Sequence, residues 1–300
     1  MPGIRSKIEY LAIFVGTLLL ILFSAGTSCA DTGHGKPVVY FGVNLRYDPI
    51  VIYKHYQPMM DYLTLNTPYR FELRISRDYQ EGIKHLVDGK TQIASLGDGA
   101  VTKAMISQGV VPILKPLNSE GKPLYRCYLV VAGNSKIKRT EELRGKRIAL
   151  GYHHSLTGNL IARQLLQSRG IVAGGETRLI NRGKHSSVAK AVLKGEADAG
   201  LLKDVVAKIY LPRGLRIIDA SEYLPSTPIV ASPRTSPELI RDVTWALSRL
   251  DRLNPRDQKI LSAWDEEYRH GFLPAATSDY IHIVRLYHSI PYGCGAGCHK

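Results

Sequence analysis

Ser155, Leu156, Thr157 and Gly158 stand between a short apolar run at residues 148–151 and a segment with apolar residues at Leu160, Ile161, Leu165 and Leu166. That spacing is close to the 3.6-residue period, so residues 146–170 read as a buried strand, a small-polar turn and a helix. A hydroxyl residue at a helix N-cap, with free backbone N–H groups and the positive end of the helix dipole behind it, holds an oxyanion without any lysine. The same residues also describe an ordinary cap under solvent. A second candidate chemistry lies at the end of the chain, PYGCGAGCHK. Cys294, Cys298 and His299 are one residue longer in spacing than the Cys-x-x-Cys-His signal for covalent haem c, with two thioethers and a histidine iron ligand. They equally describe a small disulfide loop or a transition-metal site of two thiolates and an imidazole. Cys127 sits inside an apolar strand and reads as a buried thiol.

The elements that must position these residues alternate. From Val38 the chain runs strand, helix, strand, helix through VVYFGV, a helix at 50–65, FELRIS, a helix at 79–87, TQIASLG, a helix at 100–107 and VVPILKPL. The pattern resumes at YRCYLVVAG and continues through TRLIN, HSSVAKAVLKG, DAGLL, a helix at 205–210 and LRIIDA. Helices dominate the last third, at 237–250, 255–263 and 278–288. This predicts an α/β fold with a largely parallel sheet. Two segments, 123–131 outward and 215–229 on the return, read as crossings between two lobes. The expected divisions are residues 31–122 and 218–290 for one lobe, 123–217 for the other and 291–300 as a cysteine-rich tail. Ligands in open α/β sheets sit beyond the carboxyl ends of the strands. That rule selects loops 44–48, 77–80 and 96–99, Tyr125, loops 153–157 and 183–187, and Lys203 with Asp204.

The N-terminus carries Arg5 and Lys7, an apolar run at 11–23 and small residues to Ala30, the three parts of a secretory signal. Cleavage before Asp31 fits best. Lipidation of Cys29 ranks second, since no large aliphatic residue stands three positions before it. An uncleaved anchor ranks third, because the run is short for a span of roughly 20 residues. Forty Lys and Arg against 26 Asp and Glu give a net charge of +14, which biases encounter toward anions. The charge reads as spread along the chain with no nucleic-acid motif, so small anions or an anionic envelope surface are the expected partners and a polynucleotide is not.

The ordered motifs RDYQEGIKHLVDGKTQIASLG, EGKPLYRCYLVV, LRGKRIALGYHHSLTGNLI and GKHSSVAKAVLKGEADAGLL resemble the periplasmic phosphate, phosphite and phosphonate binding proteins of ABC importers. The resemblance implies the two-lobed type 2 architecture with a ligand cleft between the lobes. It also implies capture of a small phosphorus oxyanion, delivery to a permease, a monomer, and no cofactor for binding. The Ser-Thr-Ser turn of that family falls on Ser155, Leu156 and Thr157, its tyrosines on Tyr79 and Tyr125, and its histidine on His185. The acidic group that selects an organic tail in aminophosphonate binders matches Asp204, beside Lys203. This chain departs from the family at Leu156, at Asp98 and at the doublet His153-His154. A sensor subunit for a membrane histidine kinase and a haem-bearing redox variant of the same fold are the alternatives. Ser155 with His153, His154 or His185 imitates a nucleophile and base, but no G-x-S-x-G elbow is present and no catalysis is expected.

Overall fold

The computed structural model describes residues 35–289, apart from 46, 154 and 173–176. The expected leader, the CGAGCH tail and His154 therefore lie outside the described residues, as does the side chain of Asp98. Val38 begins the compact unit that holds the site.

Two large sheets and one two-stranded pair organise that unit. The first has the order β13-β4-β12-β3-β1-β2, from β1 (Val38–Asn44), β2 (Arg70–Ser76), β3 (Ile93–Ser95), β4 (Val111–Pro116), β12 (Ile229–Ala231) and β13 (Phe272–Pro274). The second has the order β10-β6-β9-β7-β8, from β6 (Cys127–Ala132), β7 (Arg147–Leu150), β8 (Arg178–Asn181), β9 (Ala199–Lys203) and β10 (Leu215–Ala220). β1 is parallel to β2 and β3, and β7 is parallel to β8 and β9. The strands entering or leaving each crossing are antiparallel: β6 to β9, β10 to β6, and β12 to β3 and β4. Both sheets are thus mixed rather than largely parallel, because a chain that crosses between lobes must re-enter its sheet from the opposite end. The crossings pair with each other as β5 (Leu124–Tyr125) and β11 (Leu224–Pro225). β10 continues through residues 218–220 before the return begins.

The helices follow their local chemistry. α1 (Pro49–Asn66) has proline at its start, where the missing N–H costs nothing. α2 (Tyr79–Val87) is capped by Asp78, whose carboxylate accepts from Glu81 N at 2.8 Å, while Glu81 accepts from Arg77 N at 2.7 Å. This reciprocal arrangement satisfies donors that a helix start leaves open. α3 (Asp98–Ser107), α4 (Ala162–Ser168), α5 (His185–Leu193) and α6 (Asp204–Tyr210) complete the site-bearing set. α7 (Pro237–Ser248), α8 (Pro255–Leu261) and α9 (Ile281–Ser289) follow on the first sheet's side of the chain. The buried aromatics Trp264 and Tyr268 pack against Phe272, and Tyr268 also meets Tyr56, fastening the returning segment to α1 and β13. Among the described residues no helix is long and apolar enough to cross a membrane.

Candidate functional site

The turn after β7 is tighter against its strand than an ordinary cap requires. Gly151 N donates to Gly158 O at 2.7 Å, and a Cβ at Gly151 would lie 3.0 Å from Gly158 Cα. Both positions therefore favour glycine, since a side chain on either would push the turn off the strand. Where an α-helix is expected, Leu156–Ile161 form a π-helical turn before α4 begins. Such turns are rare and concentrate at functional sites, because they re-aim backbone groups. Ser155 is the N-cap, its Oγ accepting from Gly158 N at 2.9 Å. The N–H groups of Leu156 and Thr157 stand at the helix start, where no carbonyl of the preceding turn can receive them.

The turn is pinned from three sides. Asn159 Nδ2 donates to His153 O at 2.7 Å, and Arg163 Nε donates to Asn159 Oδ1 at 2.7 Å. The Cys127 thiol, buried and with its pKa driven far up by that burial, donates to Thr157 O at 3.5 Å. Tyr125, on the outward crossing, shares a hydrogen bond with Thr157 Oγ1 at 2.9 Å. Leu156, which takes the place of the family's middle hydroxyl, is 1% exposed and packs into the second lobe's core with Leu150 and Leu160. Its side chain thus belongs to packing, and only its backbone serves the turn.

Other expected residues arrive from separate elements. His185 opens α5, is buried, and lies so near the turn that a Cβ at Gly158 would be 3.3 Å from its Cε1. Tyr79 opens α2, and its ring covers Gly97, the N-cap of α3, closely enough that a Cβ at Gly97 would overlap it. The same ring meets Tyr152 of the second lobe edge-on, with centroids 5.6 Å apart. α3 of the first lobe packs against the π-helical turn of the second. Ser155, Thr157, Tyr125 and His185 are thereby brought together, whereas Tyr79 reaches the second lobe at Tyr152.

Asp204 is placed differently. Its Oδ1 accepts from its own Val205 N at 2.7 Å, and the residue lines a small cavity of about 20 Å³ with Tyr125, Lys203, Ser226 and Glu267. Burial raises its carboxyl pKa against the opposing pull of Lys203. Lys203 reaches from the end of β9 to the Glu267 carboxylate and the Thr227 hydroxyl on the first lobe's side. Its Nζ lies 4.4 Å from the centroid of the Tyr125 ring. Lys203 and Glu267 are 4% and 5% exposed, so this is a buried ion pair between the lobes, under the ring that holds Thr157.

A second tie crosses at the surface. Asp48, N-cap of α1, meets Lys184 Nζ at 3.3 Å and Lys190 Nζ at 3.4 Å, and the Lys184 hydrogen bond leads the effects that lower its carboxyl pKa. Sequence reasoning missed Glu267, Thr227, Tyr152 and this Asp48 tie; only loop membership pointed to Asp48. Asp48→Asn should speed dissociation of a bound ligand while leaving the rest of the site intact, as stopped-flow release would show. A depressed folded pKa makes the tie fully present above the ordinary carboxylate range and lost as pH falls through the lowered value. The release rate of the wild type should therefore rise toward that of the variant at acid pH, and a pH-independent difference would refute the assignment.

Comparison with known proteins agrees with this architecture. Residues 41–280 match the family described as ABC transporter, phosphonate, periplasmic substrate-binding protein. The chain is 23% identical over 247 residues to the phosphate-import protein PhnD of Mycolicibacterium smegmatis, covering 75% of this chain and 77% of that protein. Its fold is similar to a binding protein component of an ABC phosphonate transporter from Pseudomonas aeruginosa, with TM-score 0.73, 20% identity and coverage of 84% and 85%. It is also similar to PhnD1 from Prochlorococcus marinus in complex with methylphosphonate, with TM-score 0.72, 16% identity and coverage of 84% and 98%.

Proposed function

The chain belongs to the periplasmic substrate-binding proteins of phosphonate ABC transporters, and on that premise we propose that the turn Ser155-Leu156-Thr157 is where it holds a tetrahedral phosphorus oxyanion. The observation that carries this reading is the bond between Tyr125 and Thr157, which brings the crossing strand to the helix start. Two hydroxyls, the backbone N–H groups of the turn, a phenol and the His185 imidazole then converge on one small volume. Each donor contributes on the order of 1 kcal/mol net, and more toward a charged acceptor. The sum offsets dehydration of the anion once the lobes meet and exclude water.

The turn needs no direct lysine contact. Lys203 is instead held behind Tyr125, its charge matched by Glu267, so the site keeps neutral donors in front and a compensated pair behind. In this reading the site captures without chemistry, with Ser155 engaged as the cap of the helix. Binding requires no cofactor in this reading, and delivery is to the permease of an importer. Isothermal titration against phosphate, phosphite, methylphosphonate and aminoethylphosphonate tests it. Heat of binding with at least one of them is expected, and none with any of the four would defeat the proposal.

A further inference from the structure

The even spread of charge expected along the chain does not survive its division between the two sheets. Residues 123–220, which build the second sheet and its helices, hold 18 Lys and Arg against 7 Asp and Glu. Residues 38–122 and 221–289 together hold 18 against 17. The net charge of +14 is almost wholly a property of one lobe.

Topology decides where on that lobe it lies. β7, β8 and β9 are parallel, so their amino ends share one edge, opposite the end that bears the Ser155 turn. β6 is antiparallel to β9 and β10 to β6, which brings the carboxyl end of β6 and the amino end of β10 to that same edge. Bonds join these ends into one surface: Gly133 N to Gly214 O at 2.7 Å, Arg178 N to Lys146 O at 3.0 Å, and Arg147 Nη2 to Gly195 O at 2.9 Å. Lys136, Lys138, Arg144, Lys146, Arg178 and Lys194 stand on this pole, all exposed. Among the described residues nearby acids are already engaged, Glu142 with Arg139, Asp198 with Arg147 and Glu196 with Arg182. Glu141 lies close enough to Arg169 to act on it. Among the described residues no carboxylate forms an ion pair with any of the six.

The chemistry of the pole also says what kind of partner fits. Protein interfaces are anchored by apolar and aromatic side chains in a dry centre from which lysine is depleted. Here Val172 is the one strongly exposed large apolar residue among the described residues of the lobe. Cations supplied by separate loops, on long side chains with no fixed partner, match a broad layer of negative charge instead. We infer that this pole docks on the anionic phospholipid headgroups of a membrane surface, holding the protein close to the bilayer with the cleft at the opposite end of the lobe.

The test is co-sedimentation of the full protein with vesicles of phosphatidylcholine carrying about 30% phosphatidylglycerol, at about 50 and about 500 mM salt. The wild type should sediment at low salt, be released at high salt, and ignore vesicles of phosphatidylcholine alone. Lys136→Glu/Lys138→Glu/Lys146→Glu should weaken binding by about tenfold or more. A control with the same net charge, Lys54→Glu/Lys90→Glu/Lys259→Glu on the first lobe, should stay within about twofold of the wild type. Thermal unfolding confirms that both triple variants are folded. Equal losses in the two variants would show that net charge alone acts, and would overturn the pole as a docking surface. No binding to the anionic vesicles would overturn the inference and leave an acidic protein as the partner to seek.

Discussion

Lys203→Met should cost about 3–5 kcal/mol of stability in urea unfolding, the range seen when one partner is taken from a buried ion pair. The loss comes from the Glu267 carboxylate, which is 5% exposed and would be left without its ammonium. Thr227 would lose the same donor. The double variant Lys203→Met/Glu267→Leu should regain most of that stability, because apolar residues of similar volume often replace a buried pair at little cost. Ligand affinity should behave differently. The double variant also removes the cation beneath the Tyr125 ring and the polar tie between the lobes, so its Kd should stay weaker than that of the wild type even with stability restored. Recovery of both together would show that the pair is packing alone.

Ser155→Ala/Thr157→Ala should weaken oxyanion binding by about 2 kcal/mol or more, roughly thirtyfold in Kd, while the protein still folds. Two separate losses combine there. Alanine at 155 removes the cap that fixes Gly158 N, which by itself costs about 1 kcal/mol of local stability. Alanine at 157 removes the hydroxyl that Tyr125 meets, so the bond between the crossing strand and the helix start is lost. Thr157 is 2% exposed, so water cannot readily take its place. Titration calorimetry gives the affinity and circular dichroism the fold; an unchanged Kd in a folded variant would move the site elsewhere.

The two experiments separate two parts of one device. In the proposed site the turn supplies donors to the anion, and the Lys203 pair sets the surface behind Tyr125 against which those donors are held. A ligand bound between the lobes is retained only while both lobes keep their approach. The Asp48 tie at the surface and the Lys203 pair in the interior should therefore act on release rather than on recognition. Exposure decides their relative weight. Asp48 is more than half exposed and its attraction to Lys184 and Lys190 is screened by water and salt. The Lys203 pair is not.

How the chain presents itself to a membrane and how it grips a ligand are set at opposite ends of the second lobe. The pole carries exposed cations on loops and at the ends of β8 and α5, where a long side chain costs little and faces water. The turn carries neutral donors on a helix start pressed against a strand, where a lysine would have to be buried. That division explains how a chain of charge +14 needs no lysine in contact with the anion it is proposed to hold.

Read along the sequence alone, the apolar runs, the 3.6-residue spacing and the turn residues were enough to determine the alternation of strands and helices and the Ser155-Leu156-Thr157-Gly158 turn, while the expected crossings at 123–131 and 215–229 took in β6 and β10, which belong to the second sheet. These features are local: a cap, a period or a glycine acts within a few residues, so neighbours in the chain carry the information. Tertiary structure alone decided that both sheets are mixed, that the turn starts as a π-helix, and that Leu156 faces the core. It also paired Asp48 with Lys184, 136 residues away, and Lys203 with Glu267, 64 residues away. Nothing near Glu267 in the chain marks it as the partner of a lysine on another lobe. Charge shows the same limit: its surplus is countable in the sequence, but the pole of the second lobe on which the exposed cations stand became visible only through the strand directions of its sheet.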